Sequence, residues 1–153
     1  MVTFDDFWAN HPALQTPPSI APCQGSAVFE NQCVIRLGVA FTASGVNLAS
    51  YRGAFCWNGH GRTHPLRVEQ MKLWLDSESA TFVPTAEISV RTKQRIQKTF
   101  RSYLGRRGIV AFLDFWGAGN TGDHIDLWNG TEIAHGQLDY FERSREIWFW
   151  SMD

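Results

Sequence analysis

The chain has 153 residues, 44% apolar and 19% charged, with a formal net charge of −1. That length holds one well-formed core rather than two, so a single domain over residues 1–153 is expected. The composition excludes a disordered chain, and the near-neutral charge gives no global field for nucleic acid or an anionic membrane surface.

Seven Trp and eleven Phe point to a heavily aromatic core, an aromatic-lined groove, or both. Three cysteines are too few for a disulfide framework and odd in number, so at least one sulfur stays free. Whether Cys23 and Cys56 pair in an oxidising compartment is left open at this point. No stretch approaches the roughly 18 consecutive apolar residues of a membrane span. The opening MVTFDDFWANH carries two acids and no basic run, unlike a secretory signal. A soluble protein made in the cytoplasm is the expectation.

In chain order, Thr3 to Trp8 predicts a short helix, with Thr3 as N-cap and two acids in the first turn. His11-Pro12 through Pro22 is broken by four prolines and predicts an extended loop. A helix follows from Glu30 or Asn31, on the apolar stripe Cys33, Leu37, Ala40 and Phe41, and stops at Gly45. Tyr51–Thr63 is a glycine-punctuated loop. The next helix runs through Leu66–Leu75, with Thr63 or His64 as cap, Pro65 in the first turn, and Val68, Met71 and Leu75 on one side. A further helical segment is predicted from Val90 to Leu104 on Ile96, Phe100 and Leu104, with a basic outer face. Ile109–Trp116, His124–Trp128 and Glu146–Trp150 are β-branched and aromatic runs that predict strands. Asn129-Gly130 predicts a tight turn into Thr131–His135. Helices first and antiparallel strands after make an α+β fold.

Cys33 falls in the first turn of its helix, where the helix dipole and free N–H groups favour a thiolate. A thiol amidase needs that nucleophile, a base beside it, and a third group to orient the base. His124, at the start of a strand, is the candidate base, and Asp126, two residues on, shares its face of the strand. His135 lies across the predicted turn and is a second group able to reach the ring. A free cysteine is also a common small core hydrophobe, and pattern alone leaves both readings open. Cys56, His60 and His64 are zinc-ligand types spaced four and four, but the glycines between them make a loop, and no fourth ligand is evident nearby. Incidental histidines in a glycine-rich loop, with no metal bound, are therefore expected. Trp57, Trp116 and Trp128 could line a groove, or serve the core.

Two segments together carry a family resemblance. Asn31-Gln32-Cys33-Val34-Ile35-Arg36-Leu37, followed by Val39-Ala40, resembles the opening motif of the type VI secretion amidase effector 4 family. Gly122-Asp123-His124-Ile125-Asp126-Leu127-Trp128-Asn129-Gly130 resembles that family's histidine segment. Phe4–Trp8, His64-Pro65-Leu66-Arg67 with Glu69 and Leu73-Trp74-Leu75, and Glu146–Trp150 fit in type and order. The resemblance implies a papain-like, NlpC-type fold, with N-terminal helices on an antiparallel sheet. It implies a cysteine amidase toxin that cuts the γ-D-glutamyl–meso-diaminopimelate bond of the peptidoglycan stem peptide. The implied partners are a type VI secretion apparatus that delivers it, without a signal peptide, to the periplasm of target bacteria, and a cognate immunity protein. No cofactor, nucleic acid or membrane is implied. By motif, Cys33 is the nucleophile and His124 the general base, and Gln32 is an oxyanion donor by analogy to papain-like sites. The family's aspartate, about a strand beyond the histidine, is missing here. His135 is expected in its place, with Asp126 as the alternative. Two rival readings are a non-catalytic wall- or glycan-binding module and a thiol acyltransferase or deamidase acting on protein.

Overall fold

In the computed structural model, residues 1–23, 31–77, 79–91 and 98–153 are described. Four strands form one antiparallel sheet: β1 (Glu87–Val90), β2 (Gly108–Trp116), β3 (Gly122–Trp128) and β4 (Glu146–Ser151), in the order β1-β4-β2-β3. The sheet is covered on both faces, which explains why β2 reads as a continuous apolar run. Its side chains alternate between two cores. Ile109, Ala111 and Leu113 join Ile125 and Leu127 of β3 against the helices. Val110 and Phe112 join Phe149, Trp128, Tyr103 and Phe141 on the other face.

The helical layer holds α1 (Phe4–Asn10), α2 (Cys33–Ala43) and α3 (Val68–Leu75). α1 starts on a capping box: the Thr3 hydroxyl accepts from the Asp6 N–H at 3.2 Å, and the Asp6 carboxylate accepts from the Thr3 N–H at 2.8 Å. Phe7 then meets Phe41 of α2, ring centroids 4.8 Å apart. α2 is buried on nearly all sides, as a helix between a sheet and other helices must be. Gly45, at φ 92°, turns the chain after it.

Two predictions need correction. α3 begins at Val68, because Pro65 pairs with Phe55 in an isolated bridge and the Leu66 N–H donates to the Ala54 carbonyl at 3.1 Å. The loop thus folds back on itself and uses the residues expected to start the helix. The helix expected from Val90 to Leu104 has other structure at both ends. Glu87–Val90 is a strand paired with β4, and Phe100–Tyr103 is a single 3-10 turn; residues 92–97 fall outside the described part. Pairing with β4, distant in sequence, takes Val90 into a strand, and the spacing of Phe100 and Leu104 yields only the 3-10 turn.

The Asn129-Gly130 turn forms as expected, with Gly130 at φ 100° and Asn129 Oδ1 accepting from the N–H groups of Thr131 and Glu132. The returning arm pairs only through one bridge, Trp128 to Ile133. A short helix, α4 (Tyr140–Arg143), leads into β4.

Candidate active site

Strand β3 is an edge of the sheet, and the first turn of α2 abuts it. Cys33 is the first residue of α2 and only 2% exposed. Its N–H donates to Asn31 Oδ1 at 3.1 Å, while Asn31 Nδ2 donates to the Asp123 carbonyl at 3.1 Å. Asn31 therefore stitches the start of the helix to the strand carrying the histidine.

His124 and Asp126 lie two residues apart on one face of β3, both buried. His124 Nε2 is 3.0 Å from Asp126 Oδ2, and the Cys33 side chain lies near enough to the imidazole to favour its charged form. With Nε2 committed to the carboxylate, Nδ1 is the nitrogen left for the sulfur. The rings of Phe112 and Tyr140 flank the imidazole.

Asp126 is the hub of this site. Oδ1 accepts from the Leu127 N–H at 2.9 Å and lies 2.9 Å from His11 Nε2; Oδ2 accepts from the His135 N–H at 3.0 Å besides meeting His124. Burial alone would raise this carboxyl, but the charge and hydrogen bonds of His11 and His124 outweigh it and hold it well below the usual carboxylate range. On His124, burial works against the charged ring. The hydrogen bonds from Asp126 and Cys33 overcome it, and the imidazolium is pushed up to about 9. The group that orients a base has to be charged when the base is, and these two shifts supply that pairing.

Of the expected third residues, Asp126 meets the His124 ring. His135 reaches the same carboxylate through its backbone N–H, and its own side chain is exposed, its ring lowered in pKa by partial desolvation and by the charge of Arg36. Gln32 has both ends of its amide on the Cys23 backbone: Oε1 accepts from the N–H at 2.8 Å and Nε2 donates to the carbonyl at 3.1 Å. Of the three tryptophans considered for a groove, Trp128 is a core residue whose Nε1 donates to the Tyr103 carbonyl, Trp57 is 69% exposed, and Trp116 borders the site.

A cleft of about 490 Å³ opens over the histidine, lined among others by Asn31, Arg36, Trp116, His124, His135 and Tyr140. A buried thiol at a helix N-terminus, an imidazole on it, a carboxylate on the imidazole and a cleft alongside can together carry out acyl transfer.

A sequence model of the type VI secretion system amidase effector protein 4 family matches residues 29–150. The chain belongs to that family. It is an enzyme of the amide-cleaving type VI effectors. Solved structures agree on the fold. The Tae4 effector of Enterobacter cloacae superposes with a TM-score of 0.73 at 21% identity, covering 100% of this chain and 98% of that one. The same effector in complex with Tai4 gives 0.72 at 18%, with 100% and 99% covered. The Tae4–Tai4 complex of Salmonella Typhimurium gives 0.72 at 19%, also with 100% and 99% covered. A search among curated proteins finds no significant match.

Within this amidase-effector fold, one residue of the site escaped the sequence reading. His11 stood in the proline-broken stretch, where neither periodicity nor motif singled it out. Its one signal was position, at the C-cap of a helix carrying two buried phenylalanines. That fixes it in the core, where a histidine needs a polar partner.

Proposed function

We propose that this chain is a peptidoglycan amidase toxin that hydrolyses the γ-D-glutamyl–meso-diaminopimelate bond. The observation that carries the reading is the continuous chain Cys33–His124–Asp126 at the N-terminus of α2, beside the cleft, in a member of an amidase effector family. Cys33 attacks the γ-glutamyl carbonyl as thiolate, and the carbonyl carbon becomes tetrahedral. His124, as imidazolium, gives its proton to the departing amine of diaminopimelate, leaving a thioester. The same ring, now neutral, takes a proton from water. The hydroxide equivalent opens the thioester, and the thiol is restored.

Asp126 orients His124 and stabilises its charged form, while the His135 N–H and His11 hold Asp126 in turn. The oxyanion develops at the N-terminus of α2, where the helix dipole provides the stabilising field. Gln32, with its amide on Cys23, serves in this reading to hold the segment before the helix rather than the oxyanion. The substrate lies outside the inner membrane of a target cell, and delivery by a type VI apparatus to that periplasm is in keeping with the family. A cognate immunity protein, as Tai4 is for the relatives solved in complex, is the expected inhibitor.

Mass analysis of purified sacculi after incubation with the protein tests this. The expected products are free D-glutamyl ends and diaminopimelyl-containing fragments, lost in Cys33→Ala while its circular dichroism stays unchanged. Cleavage at another bond would overturn the substrate assignment, and full activity of Cys33→Ala would overturn the mechanism.

A further inference from the structure

Away from the cleft, the loop 54–66 and the residue Cys23 meet in a cluster that the amidase reaction does not use. We infer that Cys23, Cys56, His60 and His64 form a tetrahedral zinc site that fastens this loop to the segment preceding the catalytic helix. The loop alone offered three ligands. The fold supplies the fourth, Cys23, which Gln32 holds at the start of α2.

The four side chains bring their donor atoms close enough to share one ion. One donor atom from each of the four residues lies within 4.8 Å of the other three. Cys56 Sγ is 3.1 Å and Cys23 Sγ 3.8 Å from His60 Nδ1. A zinc with sulfur at about 2.3 Å and nitrogen at about 2.0–2.1 Å sets a tetrahedral S–N edge of about 3.6 Å, between these two values. The His60 and His64 rings stack with centroids 4.0 Å apart, which sets the two imidazoles side by side. His64 Nδ1 is buried and has no hydrogen-bond partner among the described residues. A buried nitrogen without a partner is costly unless something is bound to it.

The surroundings suit a thiolate–imidazole ion. Asn58 Nδ2 donates to Cys23 Sγ at 3.6 Å, the kind of outer contact that orients a metal-bound sulfur. Gly59 and Gly61 sit at φ 85° and 62°, and those left-handed turns bring ligands spaced four and four to one centre without a helix. Cys23, Cys56 and His64 are buried, and half-buried His60 is the side from which an ion enters. Two sulfurs and two nitrogens in tetrahedral disposition select zinc over magnesium or calcium. Gln32 grips the Cys23 backbone at both polar atoms and is the N-cap of α2. A metal at Cys23 thereby braces the residue next to the nucleophile. None of this depends on which bond the amidase cuts.

The test is metal content of the full chain, tag-free, purified under reducing conditions, offered zinc and dialysed against metal-free buffer. About one zinc per chain is expected for the wild type and for Cys33→Ala, and near none for Cys56→Ser or His60→Ala. Cobalt in place of zinc should give the intense visible bands of a tetrahedral thiolate-bound ion. Zinc should also protect Cys23 and Cys56, but not Cys33, from alkylation. Wild-type protein holding less than about a tenth of an equivalent would overturn the site, whether or not the variants fold. So would a Cys23–Cys56 disulfide found by mass in that reduced preparation, or zinc that is lost in Cys33→Ala and kept in Cys56→Ser.

Discussion

His11 Nε2 lies 2.9 Å from Oδ1 of Asp126, and neither residue is more than 1% exposed. His11 Nδ1 lies 3.2 Å from the Ala13 N, which leaves Nε2 as the nitrogen that faces the carboxylate. Asp126 thus stands between two histidines, one that touches the thiol and one that does not. Removing His11 takes one of several partners from a buried carboxylate, a loss of about 1–3 kcal/mol. His11→Phe is expected to lower stability by that order in urea denaturation, and His11→Gln, which keeps a donor, by distinctly less. If the two variants were equally stable, the contact would be packing alone.

In the proposed mechanism Asp126, not the His135 side chain, orients His124. Asp126→Asn keeps the shape but presents the wrong hydrogen-bonding group to Nε2, and comparable changes in catalytic triads cost about 10²–10⁴ in rate. The same order is expected here for kcat/KM on a purified stem peptide. His135→Ala keeps the backbone N–H that holds Asp126 and should change kcat/KM by less than about tenfold. A larger loss at His135 than at Asp126 would reverse the assignment.

The ionised pair His124–Asp126 makes stability depend on pH in a definite direction. His124 is raised from an ordinary value of 6.5 to about 9. Its contribution is complete below pH 6.5, declines between 6.5 and 9, and is gone above. Asp126 is lowered from 3.8, so its contribution is complete above that pH and is lost as the pH falls further. Their mutual attraction is one interaction and counts once. The pair therefore stabilises most between about pH 4 and 6.5, and wild type should lose on the order of 3 kcal/mol from pH 6.5 to 9. Denaturation series across that range should show the decline in wild type and a flatter curve in Asp126→Asn. Equal slopes would place the titrating group elsewhere.

What the sequence made legible follows distance along the chain. Cys33 and His124 were readable because a first-turn position and a strand start are local features. Asp126 was readable as a candidate because residues two apart on a strand share a face. His11 and Cys23 were not. Each reaches its partners across the fold from a proline-rich stretch with no period. Strand β1 was missed for a related reason: its four residues are mostly exposed, and only the register Ile88 to Trp148 with β4 makes them a strand. The glycine-rich loop looked incidental because its fourth ligand type lay beyond any spacing rule.

That loop also bears on the helix directly, at Gly38. A Cβ built there would lie 2.3 Å from Pro65 Cδ and 2.9 Å from the Thr63 carbonyl oxygen, inside contact distance for both. Alanine is the better helix former by about 1 kcal/mol, which alone would make Gly38→Ala stabilising. Here the overlap involves a proline ring held in a bridge to Phe55 and a main-chain oxygen, neither of which can swing aside as a flexible side chain does. Overpacking of this kind costs about 1–3 kcal/mol, so the balance falls on destabilisation. Thr63 and Pro65 flank His64, so relief of the clash should also displace that ligand and weaken zinc retention. Gly38→Ala is expected to unfold at lower urea than wild type and to release zinc faster to a chelator. Gly45→Ala provides the control for helix-end effects: it is strained by its φ of 92° but meets nothing within 4 Å. It should lower stability without altering zinc release, and if both variants released zinc alike, the contact at Gly38 would not be what ties the loop to the helix.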